Sequence, residues 1–267
     1  MVEIERRSGN YMERLDHNAS DPTYFLATYY ETENIDRSLG AYRLIKLLTR
    51  FIILSDKFHE TSNEQYVVLA RRIHDSIKHL LKSEMGMNYL ADRLEYSLDQ
   101  FSAFWKFEQS AKRRVLTSQP FSYSELRHFV LSKSSDASLV YSTVLSAVLR
   151  NFNESITLIL WYNQALLDIL DDFEDIEEDI SCEMPNVFVM AGVGNIPYSE
   201  LKKVSIDQIR SVVVANACSP DGQVAGLVNE LQSAAEAISV PETFVFLKTL
   251  SQRYADTVRG KVSISSA

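Results

Sequence analysis

The amino-acid sequence predicts an all-α fold, and three observations support this prediction. The chain contains only 8 Gly and 6 Pro among its 267 residues, so few residues interrupt a helix. Apolar residues recur every three or four positions from Ala41 to Glu60, which is typical of a helix with one buried face. No pair of alternating polar and apolar segments flanks a short turn, so a strand hairpin is not expected.

The predicted helices follow one another with short breaks between them. After the first helix, the pattern predicts helices from Tyr66 to Ser83, from Met87 to Ser110, from Ser122 to Val130, from Ala137 to Ile180 and from Pro241 to about Val262, with one or two more before the last. Ser62 or Asn63 is able to cap the second helix. Pro185 is a stop signal for the helix before it.

The sequence predicts a single folded domain. Residues 1–20 are polar and are expected to form a flexible N-terminal segment, and residues 21–262 are expected to form one α domain. No repeat, low-complexity tract or linker divides this range, and 267 residues are enough to bury one large core.

Composition excludes several classes of function. The net charge of -9 argues against nucleic acid as a partner, because phosphate backbones require clustered Lys and Arg. The two cysteines, Cys182 and Cys218, cannot form a disulfide framework and lack metal-ligand spacing. No apolar run is long enough to cross a bilayer, and the first residues lack the apolar core of a secretion signal. We therefore expect a soluble, cytoplasmic protein.

The densest chemical signal is an acidic helix. Five aspartates fall within an arc of about 100° on its helical projection: Asp168, Asp171, Asp172, Asp175 and Asp179. Like charges one turn apart destabilise a helix, and no Lys or Arg of the same segment relieves them. Hard divalent cations prefer oxygen ligands of this kind, so the pattern predicts a metal site. A solvated acidic surface is the alternative interpretation.

The residues before these aspartates favour a pocket. Followed backwards, the same stripe continues to Gln164, Trp161 and Thr157, whereas a solvent-facing stripe would stay charged. A second helix repeats the arrangement, because Asp56 and Glu60 lie one turn apart and apolar residues precede them on the same face. We expect the two helices to face each other, with metal ions between them and an apolar cavity below.

These residues resemble the class I isoprenoid synthases, in particular terpene synthases of the bacterial type. Asp171, Asp175 and Asp179 have the i, i+4, i+8 spacing of the second metal motif of that family. The stretch Pro185-Asn186, followed by apolar residues, is similar to the segment that opens the next helix in the family. Arg253-Tyr254 matches an Arg-Tyr pair that reaches the diphosphate near the C-terminus of these enzymes.

Other segments resemble neighbouring branches of the same superfamily. The segment 124–127, followed by Lys133, is similar to the region where diphosphate-sensing Arg or Lys residues occur. Asp56 and Glu60 are closer to the Asp-x-x-x-Asp motif of head-to-head squalene and phytoene synthases. The stretch 167–179 is similar to the large-terpene synthases of bacilli.

The resemblance implies a fold, a reaction and a set of site residues. The fold is a single-domain helical bundle of the isoprenoid-synthase type around a central apolar cavity. The reaction is Mg²⁺-dependent ionisation of a linear prenyl diphosphate, with two or three Mg²⁺ ions, or Mn²⁺ in their place. The implied metal ligands are Asp171, Asp175, Asp179, Asp56 and Glu60. Arg127, Lys133 and Arg253 would bind the diphosphate, and Arg253, Tyr254, Lys133 and Trp161 would act in catalysis.

Two alternatives to a terpene synthase stay open at this point. One is a prenyl transferase that joins two isoprenoid diphosphates, head-to-head or by chain elongation; the pair of Arg that follows the first motif in chain-elongating enzymes is absent until Arg71-Arg72. The other is a catalytically silent helical homologue, since Lys57 interrupts the first motif. The sequence leaves substrate length, product skeleton and oligomeric state open, although helical homodimers are common in this family.

Overall fold

The protein is all-α over the residues that its computed structural model describes, which confirms the predicted fold class. These residues are 35–61, 63–84, 86, 104–135, 153–192, 196–209, 222–242 and 245–265, and helices are the only regular structure among them. The predicted flexible segment 1–20 and Cys218 lie outside these ranges. Of the helix predicted from Met87 to Ser110, residues 87–103 also lie outside them, whereas residues 104–110 are helical as predicted. None of the described helices combines the length and the hydropathy that a membrane-spanning segment requires.

The chain divides into two compact units. Of the described residues, those between 35 and 86 together with 153 and 154 belong to unit 1, and 104–135 and those from Ser155 onward belong to unit 2. The prediction of one domain over 21–262 stays a prediction.

The described part of unit 1 is mainly a pair of packed helices. Helix α1 spans Ile35–Thr61 and α2 spans Glu64–His79, and α2 continues into a π-helical turn at Leu80–Glu84. The predicted cap is confirmed, because the Asn63 side chain accepts a hydrogen bond from the backbone N–H of Gln65 at 3.0 Å. The facing apolar residues of both helices are fully buried, so this unit has its own core: Leu44, Leu48, Ile77, Leu80 and Leu81.

Unit 2 contains the remaining described helices. They are α3 (104–116), α4 (Tyr123–Lys133), α5 (Glu154–Glu174), α6 (Ile176–Cys182), α7 (Val187–Gly192), α8 (Tyr198–Leu201), α9 (Ile206–Ile209), α10 (Gln223–Ala237) and α11 (Phe246–Ser265). Helix α7 packs against α4, α6 and α10, and α10 packs against α4 and α11. The short α7 is therefore central to the unit, and five of its six residues are buried.

Helix α4 begins with a strong local signal. The Ser122 hydroxyl accepts from the backbone N–H of Glu125, and the Glu125 carboxylate accepts from the Ser122 N–H at 2.8 Å, which forms a reciprocal capping box. Arg114 of α3 forms an ion pair with the same carboxylate. The helix predicted from Ser122 to Val130 is confirmed, and it extends three residues further, to Lys133.

The long acidic helix is bent at Asp175, whereas the sequence predicted helix from Ala137 to Ile180 with a break only near residues 151–153. Asp175 separates α5 from α6 with φ -94° and ψ 7°. The backbone hydrogen bonds nevertheless continue through the bend, since Asp175 N donates to Asp171 O and Asp179 N donates to Asp175 O, both at 2.8 Å. Asp171, Asp175 and Asp179 therefore keep the one-turn spacing that places residues i and i+4 on one side of a helix.

The end of α6 and the start of α7 agree with the sequence signals. Helix α6 ends at Cys182, and Glu183 adopts a left-handed conformation with φ 59° just before the predicted stop at Pro185. Asn186 precedes α7, and its side-chain oxygen accepts from the N–H groups of Phe188 at 3.0 Å and Val189 at 3.4 Å. Asn186 thus caps the helix that the sequence predicted to open here.

Candidate functional site

The five aspartates of α5 and α6 differ in their exposure to solvent. Asp168 and Asp172 are 9% and 2% exposed and face the core of unit 2. Asp171 and Asp175 are exposed, and Asp179 is half-buried. The buried carboxylates must find partners within the protein, whereas the outer ones are accessible to a ligand.

Lys133, the last residue of α4, lies against this acidic face. Its Nζ is 2.6 Å from Asp172 Oδ1, and the other oxygen of Asp172 accepts from the Val187 N–H at 2.7 Å. Burial alone would lower the pKa of Lys133, but the charges of Asp172 and Asp168 outweigh it and raise the pKa. Lys133 is therefore a permanent cation within the carboxylate cluster, and it is supplied by a different helix from the acidic segment, which has no basic residue of its own.

Asp168 is held by neutral donors on two helices. The Ser134 hydroxyl donates to Oδ2 at 2.5 Å, and the Gln164 amide donates to Oδ1 at 2.8 Å. Burial raises the pKa of Asp168, although Lys133 and these hydrogen bonds act in the opposite direction. Both buried aspartates thus join α5 to the C-terminal end of α4.

Asn186 ties the bend in the acidic helix to the start of α7. Its side-chain nitrogen donates to the backbone oxygen of Asp172 at 2.5 Å and to the Asp179 carboxylate at 2.8 Å. Asn186 is fully buried, and its side-chain oxygen caps α7. The one side chain therefore connects the backbone at Asp172, the carboxylate of Asp179 and the start of α7. This accounts for the position of Asp179 relative to Asp172.

The outer aspartates carry negative charge that Lys133 only partly offsets. Partial desolvation, followed by the charge of Asp168, raises the pKa of Asp171 to about 6, although one side of Asp171 stays exposed. Desolvation and the charge of Asp172 raise the pKa of Asp179 to about 7, against the hydrogen bond from Asn186. A bound cation would relieve this repulsion, so the cluster has the electrostatics of a cation site.

The outer aspartates offer part of the oxygen-ligand set that Mg²⁺ takes. Within the described ranges, no group of three or more His, Cys, Asp or Glu side chains forms a ready-made cage for a metal ion. Mg²⁺ usually binds one or two carboxylates together with substrate phosphates and waters, rather than a protein cage. Asp171 and Asp175 are exposed carboxylates one turn apart with excess negative charge nearby, so these residues fit an ion that arrives with a diphosphate.

Trp161 and Thr157 lie on α5 before the aspartates, as the stripe predicted. Trp161 is half-buried against the core, and its indole N–H donates to the backbone oxygen of Leu131 at 2.9 Å. Thr157 is 9% exposed, and its hydroxyl has no hydrogen-bond partner among the described residues. The stripe therefore changes from carboxylates to partly buried groups, as the prediction required, while the predicted central cavity stays a prediction.

The remaining predicted residues of unit 2 lie in different surroundings. Arg127 of α4 forms an ion pair with Glu230 of α10, with 2.5 Å between Nε and Oε1. Tyr123 donates to the other oxygen of Glu230 at 2.7 Å, so Arg127 belongs to a network between α4 and α10. On α11, Arg253 is exposed and Tyr254 is half-buried against the core.

Asp56 and Glu60 belong to unit 1. Both lie in the last turns of α1, and Asp56 is half-buried. Their spacing of one turn along α1 agrees with the sequence prediction. The prediction that they share metal ions with the aspartates of α5 and α6 stays a prediction.

Sequence reasoning missed the partners of the inner aspartates. Ser134, Gln164 and the Val187 N–H were not predicted to bind Asp168 or Asp172. One signal was present in the sequence, because a large apolar residue directly follows each of these aspartates, Ile169 after Asp168 and Phe173 after Asp172. A carboxylate in such a position requires a donor or a cation from another element.

Comparison of the chain with known protein families, curated proteins and solved structures finds no match. The functional interpretation therefore depends on the geometry of the site and on the motifs themselves.

Proposed function

We propose that the protein is a Mg²⁺-dependent terpene synthase that ionises a linear prenyl diphosphate, releases diphosphate and cyclises or quenches the allylic cation. The observation that carries this proposal is the position of Lys133 within the aspartate cluster, 2.6 Å from Asp172. A fixed cation beside exposed carboxylates is suited to an anion that binds together with metal ions. The proposed substrate class follows from the motif resemblance.

In this proposal the metal ions bind at the outer aspartates. Asp171 and Asp175 would hold Mg²⁺ or Mn²⁺, and Asp179 would join them at the cost of its hydrogen bond from Asn186. Asp56 and Glu60 would supply the second group of ligands. The bound ions act as Lewis acids that stabilise negative charge on the leaving diphosphate.

The basic residues would bind and orient the diphosphate. Lys133 is 33% exposed at its side chain, so its ammonium group can donate to a phosphate oxygen while it keeps its contact with Asp172. Arg253 is exposed on α11 and would add a bidentate contact. Arg127 would join them only if its ion pair with Glu230 opens. These donors stabilise the charge that develops as the C–O bond breaks.

The apolar part of the stripe would protect the carbocation. Trp161 offers an aromatic face beside the site, and a cation–π contact is worth on the order of 1–2 kcal/mol. Its indole N–H is already bonded to Leu131, so the ring orientation is fixed. Tyr254, half-buried on α11, would help to exclude water from the reacting chain.

The test is incubation of the purified protein with geranyl, farnesyl and geranylgeranyl diphosphate, each with and without Mg²⁺. Mass spectrometry of the organic extracts should find a hydrocarbon or alcohol only in the samples with Mg²⁺. A product with the combined carbon number of two substrates would instead identify a prenyl transferase. A heat-denatured sample controls for spontaneous solvolysis.

One observation favours the alternative of a catalytically silent homologue. Lys133 is already paired with Asp172 within the protein, and both Asp168 and Asp172 are buried. Inner aspartates that are already paired within the protein fit a role in joining helices that requires no catalysis. Extracts that contain no product with any of the three diphosphates would support this alternative.

A further inference from the structure

Asp172 differs from the other aspartates of the acidic helix because both of its carboxylate oxygens have a partner from another helix. Oδ1 is 2.6 Å from the Lys133 ammonium, and Oδ2 accepts from the Val187 N–H at 2.7 Å. The side chain is 2% exposed. A buried carboxylate that is engaged at both oxygens offers little to a metal ion, which indicates a different role in the site.

The position of Asp172 is fixed independently of Lys133. Val187 is the first residue of α7, and the N–H groups at the start of a helix have no partner within that helix. The backbone oxygen of Asp172 accepts from the Asn186 side chain at 2.5 Å, so the backbone and the side chain of Asp172 are both tied to the start of α7. Asp172 is therefore a rigid anchor, whereas Lys133 has a long, flexible stem.

The Lys133 ammonium also acts on the outer aspartates. Desolvation raises the pKa of Asp171 and of Asp179, and the positive charge of Lys133 opposes that rise at both carboxylates. The side chain of Lys133 is 33% exposed, so part of it is open to solvent. An ammonium group carries several N–H donors, so its pair with Asp172 leaves others for a phosphate oxygen.

We propose that Asp172 is a positioning residue that holds the Lys133 ammonium where it binds the diphosphate, while the outer aspartates hold the metal ions. This inference rests on the proposed function, because it requires a diphosphate at the aspartate cluster. Without Asp172, the stem of Lys133 samples many rotamers and has to be ordered each time a ligand binds. An ammonium that is already ordered in the folded protein binds the anion more tightly.

The direction of the change in affinity distinguishes this role from a simple effect of charge. Asp172 carries a negative charge near the proposed anion site, so its charge alone opposes diphosphate binding. Asp172→Asn would strengthen binding if charge were its only influence, but it weakens binding if Asp172 positions Lys133. The amide oxygen of Asn replaces one of the two acceptor oxygens, and its nitrogen cannot accept from the other donor.

Calorimetric titration of the full chain with inorganic diphosphate in the presence of Mg²⁺ tests the proposal. We expect Asp172→Asn and Lys133→Met each to weaken binding about tenfold or more. In the Lys133→Met background, Asp172→Asn should add less than about threefold, because no ammonium remains to be positioned.

The matched control is Asp168→Asn, which neutralises the other buried aspartate of the cluster. The hydrogen bonds of Asp168 come from Ser134 and Gln164, so this change leaves the contact between Lys133 and Asp172 in place. Diphosphate binding by Asp168→Asn should be as tight as that of the wild-type protein, or tighter.

Titration with Mn²⁺ in the absence of diphosphate, followed by electron paramagnetic resonance of the free ion, is a second readout. Asp172→Asn should lower the Mn²⁺ affinity no more than Asp168→Asn does, whereas Asp171→Asn/Asp175→Asn should lower it about tenfold or more. A general disturbance of the site by Asp172→Asn would lower the affinities for metal and for diphosphate together.

Unchanged or tighter diphosphate binding by Asp172→Asn would overturn the proposal, and so would an equal weakening by Asp168→Asn. Absence of diphosphate binding by the wild-type protein would also overturn it. Diphosphate binding that depends on Asp172, without any product from a prenyl diphosphate, would instead count against the proposed function alone.

Circular dichroism checks that each variant is folded. If Asp172→Asn does not fold, Asp172→Glu takes its place, because it keeps the charge that compensates Lys133 and displaces the carboxylate by one methylene. The same weakening of diphosphate binding is expected, and an affinity equal to that of the wild-type protein would overturn the proposal.

Discussion

The ammonium group of Lys133 is 2.6 Å from the carboxylate of Asp172, and this contact joins the end of α4 to the buried side of the acidic helix. Asp172 is 2% exposed, so its charge cannot be solvated by water. Removing one partner of a buried pair leaves the other uncompensated, which is strongly destabilising. The stability of unit 2 should therefore depend on Lys133 more than on its surface ion pairs.

The first prediction concerns this pair. Lys133→Met should lower the free energy of unfolding by about 2–3 kcal/mol, measured by urea denaturation at neutral pH, because Asp172 keeps only the Val187 N–H as a donor. The control is Lys202→Met, which breaks an exposed pair with Glu183 and should cost less than about 1 kcal/mol. Equal losses in the two variants would contradict this account of the site.

The second prediction concerns Asn186. Asn186→Ala removes the cap of α7 and the bond to Asp179, and it should cost about 2–3 kcal/mol in the same measurement. Asn186→Ser keeps a capping oxygen but is too short to replace the amide contacts, so it should recover only part of the loss. If the urea midpoint of Asn186→Ala equals that of the wild-type protein, the contacts of Asn186 with Asp179 and with the start of α7 do not stabilise the fold.

The third prediction is a pH dependence at the start of α4. The hydrogen bond from Arg114, followed by those from Ser122, lowers the pKa of Glu125 to about 2. The lowered pKa means that the ionised Glu125 carboxylate stabilises the folded protein. This stabilisation is complete above pH 4.5, the ordinary pKa of the group, and is lost as the pH falls towards 2. Glu125→Gln preserves the capping geometry and removes the charge.

Thermal melts should therefore separate wild type from Glu125→Gln at pH 7 and bring them together near pH 2. Glu200→Gln serves as the control, since Glu200 pairs with Lys203 on the surface and both side chains are more than half exposed. A difference between wild type and Glu125→Gln that is the same at both pH values would show that the Glu125 charge does not stabilise α4.

The fourth prediction separates the packing role of Trp161 from its proposed catalytic role. Trp161→Phe loses the hydrogen bond to Leu131 and should cost about 1 kcal/mol of stability, while it keeps an aromatic face. Under the proposed function, turnover in Trp161→Ala should fall about tenfold below that of Trp161→Phe, because only the phenyl ring retains a cation–π contact. Equal turnover in the two variants would leave Trp161 with a packing role alone.

Local sequence signals predicted the parts of the fold that depend on neighbouring residues. The cap at Asn63 and the helix that begins after Ser122 were predicted from such signals, whereas the helix that begins after Asn186 was implied by the family resemblance. At all three starts a side chain bonds to backbone groups two or three residues away. These signals are visible in the sequence because donor and acceptor are close along the chain.

The contacts of the site could not be predicted in the same way. Lys133 and Asp172 are separated by 39 positions, and the bend at Asp175 occurs without Gly or Pro in the segment. Such features depend on how α4, α5 and α7 pack against one another. The spacing of residues along a single helix does not reveal that packing. The i, i+4, i+8 motif was visible because its three residues lie within one short segment of the chain. Lys133 was implied only by the family resemblance, as a diphosphate ligand, so its pairing with Asp172 was not predicted.

The most direct test of the proposed chemistry is the rate of diphosphate release from farnesyl diphosphate in the presence of Mg²⁺. The proposal predicts release by the wild-type protein that stops when EDTA is added and falls at least a hundredfold in Asp171→Asn/Asp175→Asn, because the exposed carboxylates that would hold the metal are then lost. A folded double variant that releases diphosphate at the wild-type rate would contradict the proposal.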